Sequence, residues 1–283
     1  MTVLVFGGSS QIGHFLLPPL CERGEPVLAV SRHSRVAQAG LEWIAGQLPD
    51  AVPAVKDVSA VISFGPLQPF AAWLQRVTLP LSPRVIATSS MSAETKRESP
   101  LPAERTVSQQ LRDGEATLAA ACARQGCAWT VLRPTLVYGA GLDKSLTPIA
   151  RRAARTRLFP LPAGRGLRQP VHAADIAQAV LAALDSPASA GRVLSLGGGE
   201  RLPAAEMFAR VRRSLPVATL PLPLPAWLLD GARRVLPRLA GPLGRLESDL
   251  VADNDELARL LGVTPRSFRP DADCWQPPPA PHG

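Results

Sequence analysis

Residues 3–13 read VLVFGGSSQIG. The first four are apolar and suit a buried strand, and a glycine-rich turn follows at once. From Ile12 to Gly24 the apolar residues Ile12, Phe15, Leu16 and Leu20 recur on one helical face. PVLAVSR (26–32) then reads as a second strand. Strand, tight turn, helix and strand within about 30 residues make a βαβ unit.

The same alternation continues along the chain. Strand-like runs lie at 59–64, 84–90, 128–134 and 192–198, and helical patterns at 68–76, 107–125, 145–155 and 172–184. Strands alternating with helices predict an α/β fold: a Rossmann-type, doubly wound parallel sheet covered on both faces. After about residue 200 the texture changes. Residues 203–214 read as a helix, PVATLPLPLP (216–225) cannot be a regular one, and 226–246 is rich in leucine and arginine. The expected organisation is a dinucleotide-binding domain over 1–200, a small, mostly helical substrate-side portion over 201–268, and a proline-rich tail without fixed structure over 269–283.

Composition narrows the function classes. Of 283 residues, 46% are hydrophobic and 19% charged, enough apolar mass for a real core. No window reaches the ~20 apolar residues of a membrane span, and no secretion signal is evident, so the expected location is the cytoplasm. The four cysteines and four histidines are scattered, without the spacing of a metal site, so no metal is expected. The net charge of +8 rests on 28 arginines and three lysines, which favours anionic partners without naming one. Aromatics at 5% and the lack of a recognised motif argue against nucleic acid.

In a dinucleotide fold, glycines let the backbone approach a pyrophosphate held at a helix N-terminus. Gly7 and Gly13 fill the outer positions of a G-x-x-G-x-x-G spacing, and Ser10 replaces the middle glycine. Ser9, Ser10, Gln11 and Ile12 complete the expected phosphate loop; a purely structural turn is the alternative. At the end of the second strand an acidic residue would hold ribose hydroxyls. This chain has Ser31-Arg32-His33-Ser34-Arg35 instead, and a hydroxyl with a guanidinium suits a 2′-phosphate, pointing to NADP rather than NAD. A solvated arginine on a loop is the plain alternative.

With these residues in hand, the chain resembles a short-chain dehydrogenase/reductase of the extended or atypical kind, the NAD-dependent epimerase/dehydratase group. The likeness runs from VLVFGGSSQIG to ARLLGVTPRSF (258–268). It includes Trp43 to Leu48, where the family places the adenine, and Ser89-Ser90 at the end of a central strand. Leu132-Arg133-Pro134-Thr135 through Tyr138-Gly139 resembles the family's loop beside the nicotinamide. Gln169-Pro170-Val171-His172 with Asp175-Ile176-Ala177 resembles a late strand-to-helix junction. The resemblance implies cofactor contacts from Gln47, Leu48, Phe64, Gly65, Thr88, Arg133, Pro134 and Thr135, and a pocket lined by Tyr138 and His172. It further implies a small-molecule substrate, phosphorylated or nucleotide-linked, and a homodimer formed through helices flanking the site.

The departures bear on chemistry. The family runs proton transfer on a helical Tyr-x-x-x-Lys pair, in which lysine lowers the tyrosine pKa. Counting back from Glu115, those places hold Val107 and Leu111, and the family's Tyr-Gly after the serine strand has become Glu94-Thr95. Tyr138, the only tyrosine, has no lysine four residues on, so it is expected to line the pocket rather than to act as an acid. The remaining catalytic candidates are Ser90, which matches the family serine that orients a substrate oxygen, and Lys96, which could hold charge or supply a proton. An exposed loop lysine is the alternative for Lys96. Three functions follow: an NADP-dependent oxidoreductase or epimerase/dehydratase without the usual pair, a non-catalytic NADP-binding sensor or assembly protein, or a peripheral membrane enzyme on a lipid-linked substrate. The last rests on Trp227, Leu236, Leu239 and Leu243 among Arg233, Arg234, Arg238 and Arg245.

Overall fold

The computed structural model describes residues 1–225, 227, 228, 231, 244 and 246–277. The expected amphipathic segment 226–246 and the last six residues of the expected tail therefore lie largely or wholly outside the described residues. The chain opens with β1 (Thr2–Phe6), α1 (Gln11–Glu22), β2 (Val27–Ser31), β3 (Leu41–Ala45), β4 (Val58–Ser63), α2 (Leu67–Arg76) and β5 (Arg84–Thr88). A short helix α3 (Ser92–Thr95) precedes the long α4 (Pro102–Arg124) and β6 (Trp129–Pro134). Then come β7 (Val137–Tyr138), α5 (Thr147–Thr156), β8 (Leu158–Pro162), β9 (Leu167–Arg168), β10 (Val171–His172), α6 (Ala173–Asp185) and β11 (Arg192–Leu196). The chain continues through β12 (Leu202–Pro203), α7 (Ala204–Arg213), β13 (Leu220–Leu224) and α8 (Asp255–Leu261).

Seven parallel strands form the central sheet in the order β11-β6-β5-β4-β1-β2-β3. The strand order reverses between β1 and β4, and the crevice above that point is where an open α/β sheet takes its ligand. One face of the sheet packs on α1, α6 and α8, through residues such as Leu16, Leu20, Ile176 and Leu257. The other packs on α2 and α4 through Phe70, Leu74 and Leu118. The doubly wound sheet expected from the alternating pattern is thus the observed one.

Helix α1 continues through Pro18 and Pro19. Each proline removes a ladder bond and clashes with the preceding turn, at a cost of about 3 kcal/mol. Leu16, Leu17 and Leu20 are buried on the same helix, and this packing holds it together. Strand β3 lies in a stretch read from sequence only as an adenine-side match. Its alternating burial, with Leu41 inside and Glu42 outside, is that of an edge strand.

A third core gathers Tyr138, Ala150 and Phe159 with Met207, Phe208, Phe268 and Trp275. The unit built on this core therefore draws on residues before 200 as well as after. It also reaches past 268: residues 273–275 form a single helical turn in which Cys274 and Trp275 are buried. The Trp275 indole N–H donates to Ser214 Oγ at 2.8 Å, and its carbonyl accepts from Arg151 Nε at 2.9 Å. No helix among the described residues is long and apolar enough to cross a membrane.

Candidate active site

The glycine loop sits at the strand-order reversal. Gly7 has φ +75°, a backbone that side chains rarely adopt, and closes the turn after β1. At Gly13 an added Cβ would lie 2.2 Å from the Gly8 carbonyl oxygen, so only glycine lets α1 pack onto the loop. Ser10 caps α1, its hydroxyl oxygen accepting the Gly13 N–H at 3.2 Å. That hydroxyl keeps its own proton to donate. The amides of Gln11 and Ile12 have no acceptor within the helix, while the Ile12 side chain is in the sheet core and Ser9 is exposed. Gln11 Oε1 is buried without a hydrogen-bond partner. Free amides, a spare hydroxyl proton and the positive end of a helix dipole fit a pyrophosphate.

At the end of β2, Ser31 is buried and its hydroxyl is tied to the backbone of His33, donating to the carbonyl at 2.8 Å and accepting from the N–H at 3.1 Å. Arg32 to Arg35 are exposed, and the Arg35 guanidinium lies 5.0 Å over the Trp43 ring. Gln47 is exposed nearby, and Leu48 packs beside Gly65, which follows the half-buried Phe64 at the end of β4.

At the end of β5, the Thr88 hydroxyl donates to the Ser63 carbonyl at 3.4 Å. Ser89 Oγ is buried without a partner, and the half-buried Ser90 Oγ accepts the Ser92 N–H at 3.1 Å. Lys96 is not a free loop lysine: its Nζ lies 3.8 Å from Glu104 Oε1, with both side chains mostly buried. On α4, Val107 is exposed and Leu111 half-buried. One residue along, the buried Ser108 donates to the Ala93 carbonyl at 2.5 Å and accepts from Arg112 at 3.0 Å.

Arg133 was expected at the cofactor. In the structure its guanidinium clamps Glu115, at 2.8 Å from Nε and 2.5 Å from Nη2, and reaches Glu94 at 2.6 Å. The reason is Glu115, a carboxylate buried on the sheet-facing side of α4, which needs a cation there. The pairing raises the arginine's pKa, chiefly through the hydrogen bonds to Glu115. Pro134 and Thr135 are likewise buried and engaged. The Pro134 carbonyl accepts the Met91 N–H at 2.9 Å, and the Thr135 hydroxyl donates to the Gln169 carbonyl. These residues position the strand ends.

Tyr138 is only 1% exposed, a core ring rather than an open pocket wall. It packs edge-on against His172 at 5.0 Å and Phe268 at 4.9 Å. Burial pushes its phenol well above the ordinary range, the opposite of what proton transfer needs. His172 caps α6, its Nδ1 accepting the Ala174 N–H at 3.1 Å. Its ring is pressed against Gly139, where a Cβ would lie 2.5 Å from Nε2. Asp175, one turn on, holds Arg266 through Nε at 2.8 Å and the backbone N–H at 3.0 Å. Sequence reading named neither Arg266 nor Glu115 as a site residue.

Burial lowers the His172 pKa, Arg266 adding to the effect and Asp175 and Asp271 opposing it. A histidine whose folded pKa is depressed gives stability that is present above about 6.5 and lost as pH falls through the folded value. The exposed His14 shifts the same way. Thermal denaturation is expected to show a loss on acidification beginning near pH 6.5, smaller in His172→Asn, which keeps a capping oxygen. An unchanged pH slope in that variant would assign the loss to other groups.

The chain matches known proteins in keeping with this geometry. Residues 86–197 match the model of the NAD dependent epimerase/dehydratase family. A UDP-glucose 4-epimerase of Vibrio cholerae is 28% identical over 122 residues, 40% of this chain and 37% of that protein. Among solved structures, MoeE5 in complex with UDP-glucuronic acid and NAD superposes with a TM-score of 0.73 at 20% identity, covering 98% of this chain and 97% of that one. The UDP-glucuronic acid 4-epimerase of Bacillus cereus, in complex with NAD, superposes with a TM-score of 0.68 at 15% identity, covering 97% of each chain. Residues 86–197 thus resemble the NAD dependent epimerase/dehydratase family, and the chain as a whole shares the fold of these solved structures.

Proposed function

We propose that this chain binds a nicotinamide dinucleotide along the carboxyl edge of its sheet, with NADP preferred to NAD. It then serves as an epimerase/dehydratase-type oxidoreductase on a small nucleotide-linked substrate, without the Tyr-x-x-x-Lys pair. The dinucleotide reading is carried by one observation: Gly13 fits α1 so tightly to the loop that its free amides and the Ser10 hydroxyl proton converge at the strand-order reversal. The preference for NADP rests on Arg32 and Arg35, exposed where a ribose-binding carboxylate would otherwise stand. The related solved structures hold NAD, so this preference is the chain's own. The UDP-sugars in those structures support a nucleotide-linked substrate.

The bound nicotinamide would supply hydride acceptance and return. Ser90 would orient a substrate oxygen from the end of β5. Lys96, held beside Glu104, would supply the positive charge or the proton. Val107 and Leu111 can carry no proton, and this favours the second reading, a non-catalytic NADP-binding sensor or assembly protein.

Calorimetry should give a lower Kd for NADPH than for NADH, and Arg32→Ala should cost NADPH about 1.5–3 kcal/mol, one charge-assisted contact. Equal affinities would remove the preference, and failure to bind either nucleotide would remove the reading. Reduction of NADP in the presence of UDP-sugars, followed by absorbance, separates enzyme from binder.

A further inference from the structure

Among the described residues, the β8/β13 ribbon carries an apolar face that is exposed toward its Leu158/Leu220 end. In its register Leu220 lies opposite Leu158, Leu222 opposite Pro160 and Leu224 opposite Pro162. Side chains alternate along a strand, so these six share one side. The intervening Phe159 is buried on the other side, in the third core. On the outward side Leu158 is 48%, Leu220 68% and Leu222 49% exposed, and just beyond the strand Trp227 is 75% exposed. Exposed apolar residues collected in this way mark an interaction surface rather than scatter.

The backbone narrows the occupant. The Leu220 N–H donates to the Arg157 carbonyl at 2.7 Å, and the Leu224 carbonyl accepts from Ala163 at 3.0 Å. Residues 220, 222 and 224 thus face β8, which leaves Pro221 and Pro223 at the free edge. Neither has an N–H, so an incoming strand would find no donors, and growth of the sheet by a second chain is blocked. The outward face itself offers no charged or hydrogen-bonding side chain for a specific protein partner. A lipid surface requires neither.

Charge supplies the complement. Arg157 ends α5 just before β8, and Arg152 and Arg155 precede it on α5; all three are exposed and have no ion pair among the described residues. Exposed leucines with a tryptophan close by in the chain, and exposed arginines on the helix that leads into the ribbon, fit an interface in which apolar side chains enter the acyl boundary and guanidinium groups meet headgroups. We infer that the β8/β13 face docks the protein peripherally on an anionic membrane surface. The inference does not depend on the nucleotide site.

Co-sedimentation of the full chain with vesicles tests it. The protein should pellet with vesicles of phosphatidylcholine mixed with phosphatidylglycerol, and far less with phosphatidylcholine alone. Leu220→Asp with Leu222→Asp should lower partitioning about tenfold or more. Arg155→Gln and Arg157→Asn should each lower it about fivefold on anionic vesicles only. Circular dichroism checks that each variant stays folded. Should the aspartate pair fail to fold, Trp227→Phe serves in its place: the vesicle-induced blue shift of the parent's emission should largely vanish. Absence of the parent from both pellets, or binding that ignores these substitutions, would overturn the proposal. So would concentration-dependent self-association abolished by the aspartate pair, which would assign the face to a second copy.

Discussion

Gly13→Ala is expected to lower dinucleotide affinity about tenfold or more and to cost about 1–3 kcal/mol of stability. The methyl group would meet the Gly8 carbonyl oxygen at 2.2 Å, and that atom belongs to the backbone, which cannot turn aside as a side chain would. Either α1 slides along its axis or the loop opens, and each takes the Gln11 and Ile12 amides and the Ser10 hydroxyl out of register with a shared phosphate. Denaturant unfolding and NADPH calorimetry on the same preparation read the two effects separately. A variant as stable as the parent and equally tight in binding would show that the loop is not held as described.

Trp275→Ala should cost about 3–5 kcal/mol, the range for emptying a large aromatic site. Trp275 is 3% exposed and loses its ring contacts and its hydrogen bond to Ser214 together. The loss should appear as a lower denaturant midpoint, with Tyr138 and Phe268 left facing a cavity. A cost below about 1 kcal/mol would mean that the surrounding core collapses into the space or never depended on it.

The comparison of these two sites explains what the sequence disclosed. Gly13 was legible because its constraint is local: strand, turn and helix follow one another within a few residues, and the glycine spacing marks the closest approach. Trp275 was not, because its partners Tyr138 and Ser214 are far off in the chain, and the prolines after it read as a tail. Arg133 shows the same limit. Its residue type and loop were recognised, but its partners lie 18 and 39 residues away, at Glu115 and Glu94. Pairing of that kind is decided by topology. The proline run 216–225 was excluded as helix, correctly, yet it became a strand because its prolines fall where no ladder bond is required. Of the candidate site, the turn geometry of the glycine loop was readable in this local sense. Tyr138 is a buried core ring and His172 caps α6, arrangements set by contacts with Phe268 and Ala174.

The clamp at Arg133 has a further consequence, for motion. The segment after β5 that carries Ser90 and Lys96 is fastened to its surroundings at several points: Glu94 to Arg133, Ala93 to Ser108, Met91 to Pro134 and Lys96 to Glu104. Its conformational entropy is therefore given up when the chain folds, not when a ligand arrives. Such a segment should exchange its amide protons slowly and move with α4 as one body.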